Sequence, residues 1–152
     1  MGENYKIKRH NARTIVLQKL FERTFHTQEL KITDKPYFPA EDLKEENEIA
    51  DFDQKFSEQI LTGVFKYQKQ IDHAIQELAP EWPLENIGKI DLQILRIAIL
   101  EGFILKLTPE KVAIDEAIEL AKEFSNDQSR KFVNGVLGNL IVNQAKFTYL
   151  KA

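Results

Sequence analysis

Residues 49–78 read IADFDQKFSEQILTGVFKYQKQIDHAIQEL. The large apolar side chains of this stretch recur every three or four residues: Ile49, Phe52, Phe56, Ile60, Val64, Tyr67, Ile71, Ile75 and Leu78. The mean step is about 3.6 residues, which is the period of an amphipathic α-helix. The pattern predicts one long helix, or two nearly collinear helices, over residues 48–79. Pro80 is expected to end it, because proline disfavours a helical conformation in the residue before it.

Helical periodicity continues on both sides of that stretch. Apolar side chains recur every three or four residues over about 9–26, 84–107, 109–124 and 128–148. No run of four or more residues alternates apolar and polar side chains convincingly, as a half-buried strand would. Residues 27–47 are polar and include two prolines, so we interpret them as a long loop, with a loop that contains one short helix as the alternative. The sequence therefore predicts an all-α fold of about six or seven helices.

The last predicted helix carries two local signals. The S-x-x-Q spacing of Ser125 and Gln128 matches a capping box, in which the serine side chain satisfies backbone N–H groups at the helix start. Further along, Gly135 and Gly138 are expected to let a neighbouring helix approach closely. Both signals predict how this helix is positioned.

The composition excludes several classes of protein. None of the 152 residues is a cysteine, which excludes disulfide frameworks, zinc knuckles, iron–sulfur ligation and thiol catalysis. The longest uninterrupted apolar run is four residues, Ile97–Leu100, so no segment is expected to span a membrane. We therefore expect a soluble, cytoplasmic domain.

Catalytic signatures are missing from the sequence. It contains no G-x-S-x-G, no P-loop, no G-x-G-x-x-G and no H-E-x-x-H motif. The histidines at positions 10, 26 and 73 lack the spacing of metal ligands. Glu116 and Glu119 could act as a carboxylate pair, but a solvated helix face is the simpler interpretation. We therefore expect no catalytic residue, no metal and no cofactor, and hence no enzyme.

The formal net charge of −3 conceals a strong asymmetry. Residues 1–25 carry six basic and two acidic side chains, and residues 128–152 carry four basic side chains and no acidic one. Each terminal segment therefore has a net charge of +4, whereas residues 26–127, with 11 basic and 22 acidic side chains, have −11. This asymmetry indicates an anionic partner near the termini and a different partner elsewhere.

Basic residues cluster at the start of two predicted helices. They are Arg9, His10 and Arg13 in the first helix, and Arg130 and Lys131, followed by Phe132, in the last. Arginine and lysine neutralise phosphates, and an aromatic ring beside them stacks on an unpaired base. The combination favours single-stranded RNA, whose bases are free to leave the stack. The alternative is that these basic residues pair with the protein's own acidic middle and that Phe132 belongs to the core.

Several motifs occur together and in order. The longest are KVAIDEAIELAK at 111–122 and SRKFVNGVL at 129–137. They follow Ile94-Leu-Arg-Ile-Ala98 with Glu101, and, near the N-terminus, Ala12-Arg13 with Leu20-Phe21. In these motifs the chain resembles the NusB family of transcription antitermination factors. The resemblance is good over about residues 9–21 and 90–137.

The resemblance implies both a fold and a function. The fold is a single domain over 1–152 with two helical subdomains. These are an N-terminal part over 9–79, which includes the polar loop 27–47, and a C-terminal part over 80–150. The implied function is binding of boxA-type single-stranded RNA together with the ribosomal protein NusE. Such complexes act on transcribing RNA polymerase and promote read-through of ribosomal RNA operons.

The resemblance also implies site residues. By motif, the RNA-binding positions are Arg9, His10, Arg13, Gln128, Arg130, Lys131 and Phe132. The positions that would face NusE are Phe21 and Asp91. His10 and Asn11 interrupt the family's run of arginines, so we expect a lower RNA affinity. Phe21 replaces a common tyrosine, so a hydrogen bond from that hydroxyl to NusE would be lost, and Gln128 stands where the family frequently has aspartate.

Two other functions stay open at this point. The first is a protein-interaction module of the same fold that has no RNA-binding role of its own. The second is an enzyme that uses the carboxylates of Glu116 and Glu119. Some members of the family form dimers, so the resemblance also leaves open whether this chain is a monomer or a homodimer.

Overall fold

The computed structural model describes residues 2–25 and 51–152. These residues form five α-helices and no β-strand: α1 (Gly2–Arg23), α2 (Gln54–Leu78), α3 (Lys89–Ile99), α4 (Glu110–Phe124) and α5 (Asp127–Val142). The predicted all-α class is confirmed, with five helices in the described ranges where the sequence predicts about six or seven for the whole chain. The predicted loop at 27–47 lies outside the described residues.

The chain divides into two compact units, Met1–Phe65 and Lys66–Ala152. Helix α1 and the first part of α2 belong to the first unit. The rest of α2, together with α3, α4 and α5, belongs to the second. The division therefore falls within α2. The apolar period predicted one long helix or two nearly collinear helices over residues 48–79, and the structure has one continuous helix from Gln54 to Leu78.

In the first unit, hydrogen bonds attach the start of α2 to α1. The backbone N–H of Asp53 donates to the carbonyl of Lys8 at 3.1 Å, and the side-chain amide of Asn11 donates to the carbonyl of Asp51 at 2.7 Å. The Asp53 carboxylate also accepts from the backbone N–H of Phe56 at 3.0 Å and so caps α2. These bonds place the ring of Phe56, which is 1% exposed, beside Arg9 in the first half of α1.

Within the second unit, an arginine–aspartate pair and one close contact between a turn and a helix hold the elements together. Arg96 on α3 makes two hydrogen bonds of 2.9 Å to the carboxylate of Asp72 on α2. After α3 the chain forms a π-helical turn, Leu100–Ile104. A Cβ built on Gly102 in this turn would lie 2.8 Å from the Cβ of Ala113 on α4. Glycine is therefore required here for the turn and α4 to approach.

Two expectations about the last helix are wrong in detail. Within the described residues, nothing lies within 4 Å of a Cβ built on Gly135 or Gly138, so no helix approaches closely there. The cap of α5 is Asn126, not Ser125: the Asn126 side chain accepts from the backbone N–H of Ser129 at 2.9 Å. Asparagine and serine are equally good N-cap residues. The hydroxyl of Ser125 donates instead to the side chain of Ser129, which lies in the candidate site.

Candidate nucleic-acid interface

Arg9 on α1 contacts two aromatic rings. Its guanidinium carbon lies 4.5 Å from the ring centre of Tyr5 and 4.2 Å from that of Phe56. Its Nε lies 4.0 Å from a carboxylate oxygen of Asp53, and the side chain is 20% exposed. These contacts orient the guanidinium, because both ring faces and the carboxylate attract its charge. A phosphate could reach only the exposed edge of Arg9.

The other two predicted residues on α1 differ in exposure. His10 is half-buried. Arg13 is only 3% exposed, and its guanidinium carbon lies 5.0 Å from the ring centre of Phe56. A phosphate cannot contact a side chain buried to this extent unless the chain moves. The geometry therefore favours Arg13 as a support for Phe56 and α1.

The exposed N-terminal turns of α1 carry groups that the sequence analysis left out. Helix α1 begins at Gly2, well before the predicted start near residue 9, and Tyr5 and Lys6 are exposed on it. Tyr5 is 50% exposed although it contacts Arg9. These turns show no helical period of apolar residues, because none of their side chains packs into a core. Only the basic composition of residues 1–25 could have indicated that they take part in binding.

The start of α5 presents a mixed basic and aromatic face. Gln128 and Lys131 are exposed and Phe132 is half-buried. These three residues are spaced i, i+3 and i+4, so their side chains lie on one side of the helix. Arg130 is turned away from Gln128 and lies 3.7 Å from the carboxylate of Asp127. The structure therefore groups Gln128, Lys131 and Phe132 and leaves Arg130 in a local ion pair.

A depression of about 280 Å³ lies beside this face of α5. Its lining includes Trp82, Ile87, Asp91, Gln128 and Phe132. Two predicted RNA-binding residues, Gln128 and Phe132, are thus brought together with Asp91, which was predicted to face NusE. Sequence reasoning missed Trp82. It is 50% exposed, and its signal was a lone tryptophan in the Pro-Glu-Trp-Pro turn after α2.

A chain of hydrogen bonds holds Asp91 at the edge of this depression. The Ser125 hydroxyl donates to Ser129 Oγ at 2.6 Å, and the Ser129 hydroxyl donates to Asp91 Oδ2 at 2.9 Å. Burial raises the pKa of the Asp91 carboxyl above its ordinary value, and the serine hydrogen bonds only partly offset that rise. Asp91 Oδ1 is shielded from solvent and has no hydrogen-bond partner among the described residues.

Phe21, the other residue predicted to face NusE, lies in the first unit. It is half-buried, and its ring makes an edge-to-face contact with Phe25, with 5.1 Å between ring centres. Phe25 itself is 59% exposed. The pair leaves an aromatic surface at the end of α1 on which an apolar side chain of a partner could pack.

Of the two carboxylates considered for catalysis, Glu116 is half-buried and Glu119 is exposed. Glu119 is about half exposed and lies 3.4 Å from Lys122 in an i, i+3 pair on α4. No group of three or more His, Cys, Asp or Glu residues that could hold a metal occurs in the ranges 2–25 and 51–152. None of the helices described is long and apolar enough to cross a membrane.

Comparison with known proteins gives consistent matches. The NusB family profile matches residues 10–142. The transcription antitermination protein NusB of Clostridium acetobutylicum is 38% identical over 135 residues, which cover 89% of this chain and 96% of that protein. The solved structure of T. maritima NusB has a TM-score of 0.69 at 29% identity and covers 91% of this chain and 95% of its own.

A second solved structure shares the fold. A chain in the crystal structure of a plectonemic RNA supercoil has a TM-score of 0.73 at 20% identity, covering 91% of this chain and 96% of that chain. The range matched by the family profile includes His10, Arg13 and the whole face of α5 described above, and Arg9 directly precedes it.

Proposed function

This chain belongs to the NusB family, and from that premise we propose that it is a transcription antitermination factor. In this proposal it binds boxA-type single-stranded RNA together with the ribosomal protein NusE, within a transcribing RNA polymerase complex. The outcome is read-through of ribosomal RNA operons. The names of its relatives support the antitermination role. The boxA-type RNA and NusE partners are proposed in addition, from the residues described above.

One observation carries the RNA-binding part: the half-buried Phe132 lines an accessible depression next to an exposed lysine. A ring wholly within the core could not stack on a base. Phe132 instead is half-buried and lines the depression, and Lys131 and Gln128 lie on the same face of α5. This arrangement supplies a stacking surface, a phosphate-neutralising charge and an amide that can hydrogen-bond a base edge.

The predicted residues take different parts in this proposal. Lys131, with the exposed edges of Arg9 and His10, contacts phosphates. Arg130 adds positive charge near the RNA but stays paired with Asp127. Arg13 is buried within the first unit, supports Phe56 and the middle of α1, and is not a direct RNA contact.

The NusE part of the proposal rests on charge and on exposed apolar surface. A ribosomal protein is basic because it binds ribosomal RNA, and residues 26–127 of this chain carry a net charge of −11. In the second unit the resemblance assigns the NusE-facing position to Asp91, at the edge of the depression, and in the first unit the contact of Phe21 with Phe25 contributes apolar surface. Removing the carboxylate of Asp91, or the contact of Phe21 with Phe25, should weaken NusE binding more than RNA binding.

Gel shifts with boxA-type RNA and with a scrambled RNA of the same composition test this function. Each should be run with and without NusE, and over a range of salt concentrations. We expect tighter binding to boxA-type RNA, a further gain with NusE, and a log K that falls linearly with log salt. Equal, weak and fully salt-labile binding to both RNAs would instead favour a protein-interaction module without its own RNA-binding role.

A further inference from the structure

We infer that Trp82 is a second base-contacting residue and that the depression beside α5 receives one unpaired nucleobase between Trp82 and Phe132. The inference rests on the proposed RNA binding and adds to it the kind of group that enters the depression. It also assigns a role to a residue outside the motifs that the family resemblance covers.

The backbone of Trp82 is fixed before any ligand binds. Its N–H donates to the carbonyl of Ala79 at 3.0 Å, and its carbonyl accepts from the side-chain amide of Gln76 at 2.8 Å. The following residue is Pro83, which restricts the chain further. Trp82 nevertheless remains 50% exposed. Because two hydrogen bonds and the following proline already restrain this turn, Trp82 loses little conformational entropy when a ligand covers its ring.

The size of the depression fits a single base. Its volume is about 280 Å³. Pockets that enclose drug-sized ligands measure roughly 300–1,000 Å³, so this one holds a flat ring system and not several stacked nucleotides. An aromatic residue at each of two elements, the turn after α2 and the start of α5, supplies the stacking surface that an unpaired base uses.

The charge of the lining selects the base over the phosphate. Among the described residues that line the depression there is one carboxylate, Asp91, and no lysine or arginine. A phosphate would find no cation to pair with in the depression, whereas Lys131, the residue before Phe132, is exposed and can hold a phosphate outside it. The amides of Gln128 and Asn126 offer hydrogen-bonding groups of the kind that base edges pair with.

A lysine or arginine from a protein partner is the competing occupant, and the surroundings of Asp91 disfavour it. Asp91 Oδ2 already accepts a hydrogen bond from Ser129, and Oδ1 is shielded from solvent. The carboxylate therefore presents little of its charge to the interior of the depression. The exposed surface there is mainly aromatic and amide, which suits a neutral ring.

The test uses the fact that Trp82 is the only tryptophan in the chain. A fluorescently labelled boxA-type oligoribonucleotide is titrated with the intact protein, and two signals are followed: the anisotropy of the label and the emission of Trp82. We expect the tryptophan emission to be quenched with the same midpoint as the anisotropy change. We also expect Trp82→Ala to weaken RNA binding about 5-fold or more, and Trp82→Phe to retain most of it.

Val142→Ala is the matched control. Val142 is also an exposed apolar residue, 79% accessible, and lies on the same helix as Phe132 but about 15 Å further along it. Its substitution should leave RNA affinity unchanged. Circular dichroism confirms that each variant is folded, and the quenching experiment on the unmodified protein remains decisive if Trp82→Ala does not fold.

A set of RNAs, each with one base replaced by an abasic nucleotide, locates the bound base. One abasic position should weaken binding to the unmodified protein about 5-fold and have little further effect on Trp82→Ala. If RNA binds while the Trp82 emission and the affinity of Trp82→Ala stay unchanged, the inference is wrong and the proposed function stands. If NusE alone quenches Trp82 and RNA does not, the occupant is a protein side chain and the inference is wrong. If no RNA binds the unmodified protein, both fail.

Discussion

The ion pair between Arg96 and Asp72 gives the sharpest prediction about stability. The two side chains are only 13% and 17% exposed and are joined by two hydrogen bonds of 2.9 Å. Asp72→Asn removes one charge and leaves the guanidinium without its counter-ion. Breaking a buried pair in this way costs about 3–5 kcal/mol, and the residual exposure lowers the expected loss to about 2–4 kcal/mol. For a chain of this size the melting temperature should fall by about 5–15 °C.

Urea denaturation of Asp72→Asn measures this loss, with Glu119→Gln as a matched control. The Glu119–Lys122 pair is about half exposed, at 53% and 47%, so its loss should cost less than about 0.5 kcal/mol. Replacing both partners, as in Asp72→Leu with Arg96→Met, should recover most of the stability, because no unpaired charge is then buried. If Asp72→Asn costs no more than Glu119→Gln, water screens the pair and the reasoning from burial is wrong.

Two further predictions follow from glycine contacts and from a buried carboxyl. Gly102→Ala should destabilise the protein by about 1–3 kcal/mol, because its Cβ would lie 2.8 Å from that of Ala113. Gly135→Ala should instead stabilise α5 by about 0.5–1 kcal/mol, because a Cβ built on Gly135 meets no neighbouring atom of the described residues within 4 Å. If thermal denaturation shows the same change in stability for both alanine variants, the close contact of Gly102 with Ala113 is contradicted. Because burial raises the pKa of Asp91, the folded state binds a proton more readily than the unfolded state, and stability falls as pH rises through the raised pKa. Asp91→Asn should lack this loss, so its stability relative to the unmodified protein should improve as the pH rises above about 4, the ordinary pKa of an aspartate; a constant difference would argue against the raised pKa.

Helix α2 shows what the sequence can predict. Its apolar side chains recur with the α-helical period over residues 49–78, and the structure contains one helix over Gln54–Leu78. The period is informative because residues that recur with it face a core: Phe56, Ile60, Ile71 and Ile75 are essentially inaccessible to solvent. Helix α1 shows the converse, since its turns before residue 8 are exposed and carry no period.

The site depends on contacts that cannot be derived from spacing. Arg9 and Arg13 look equivalent in the sequence, yet Arg13 is 3% exposed and Arg9 retains an exposed edge. Which of them is buried depends on where Phe56 lies in the folded unit. Trp82 was missed for a similar reason, because only the folded chain brings the turn after α2 to the same depression as Phe132.

The most direct test of the central claim is the RNA affinity of Phe132→Ala, measured by anisotropy with boxA-type RNA and corrected for the folded fraction. The half-buried ring lines the accessible depression, so we predict that its loss weakens binding by about 1–3 kcal/mol per folded molecule. The preference over scrambled RNA should shrink with it. If Phe132→Ala lowers the melting temperature sharply but each folded molecule binds boxA-type RNA as before, Phe132 is a core residue and this face of α5 is not the RNA-binding surface.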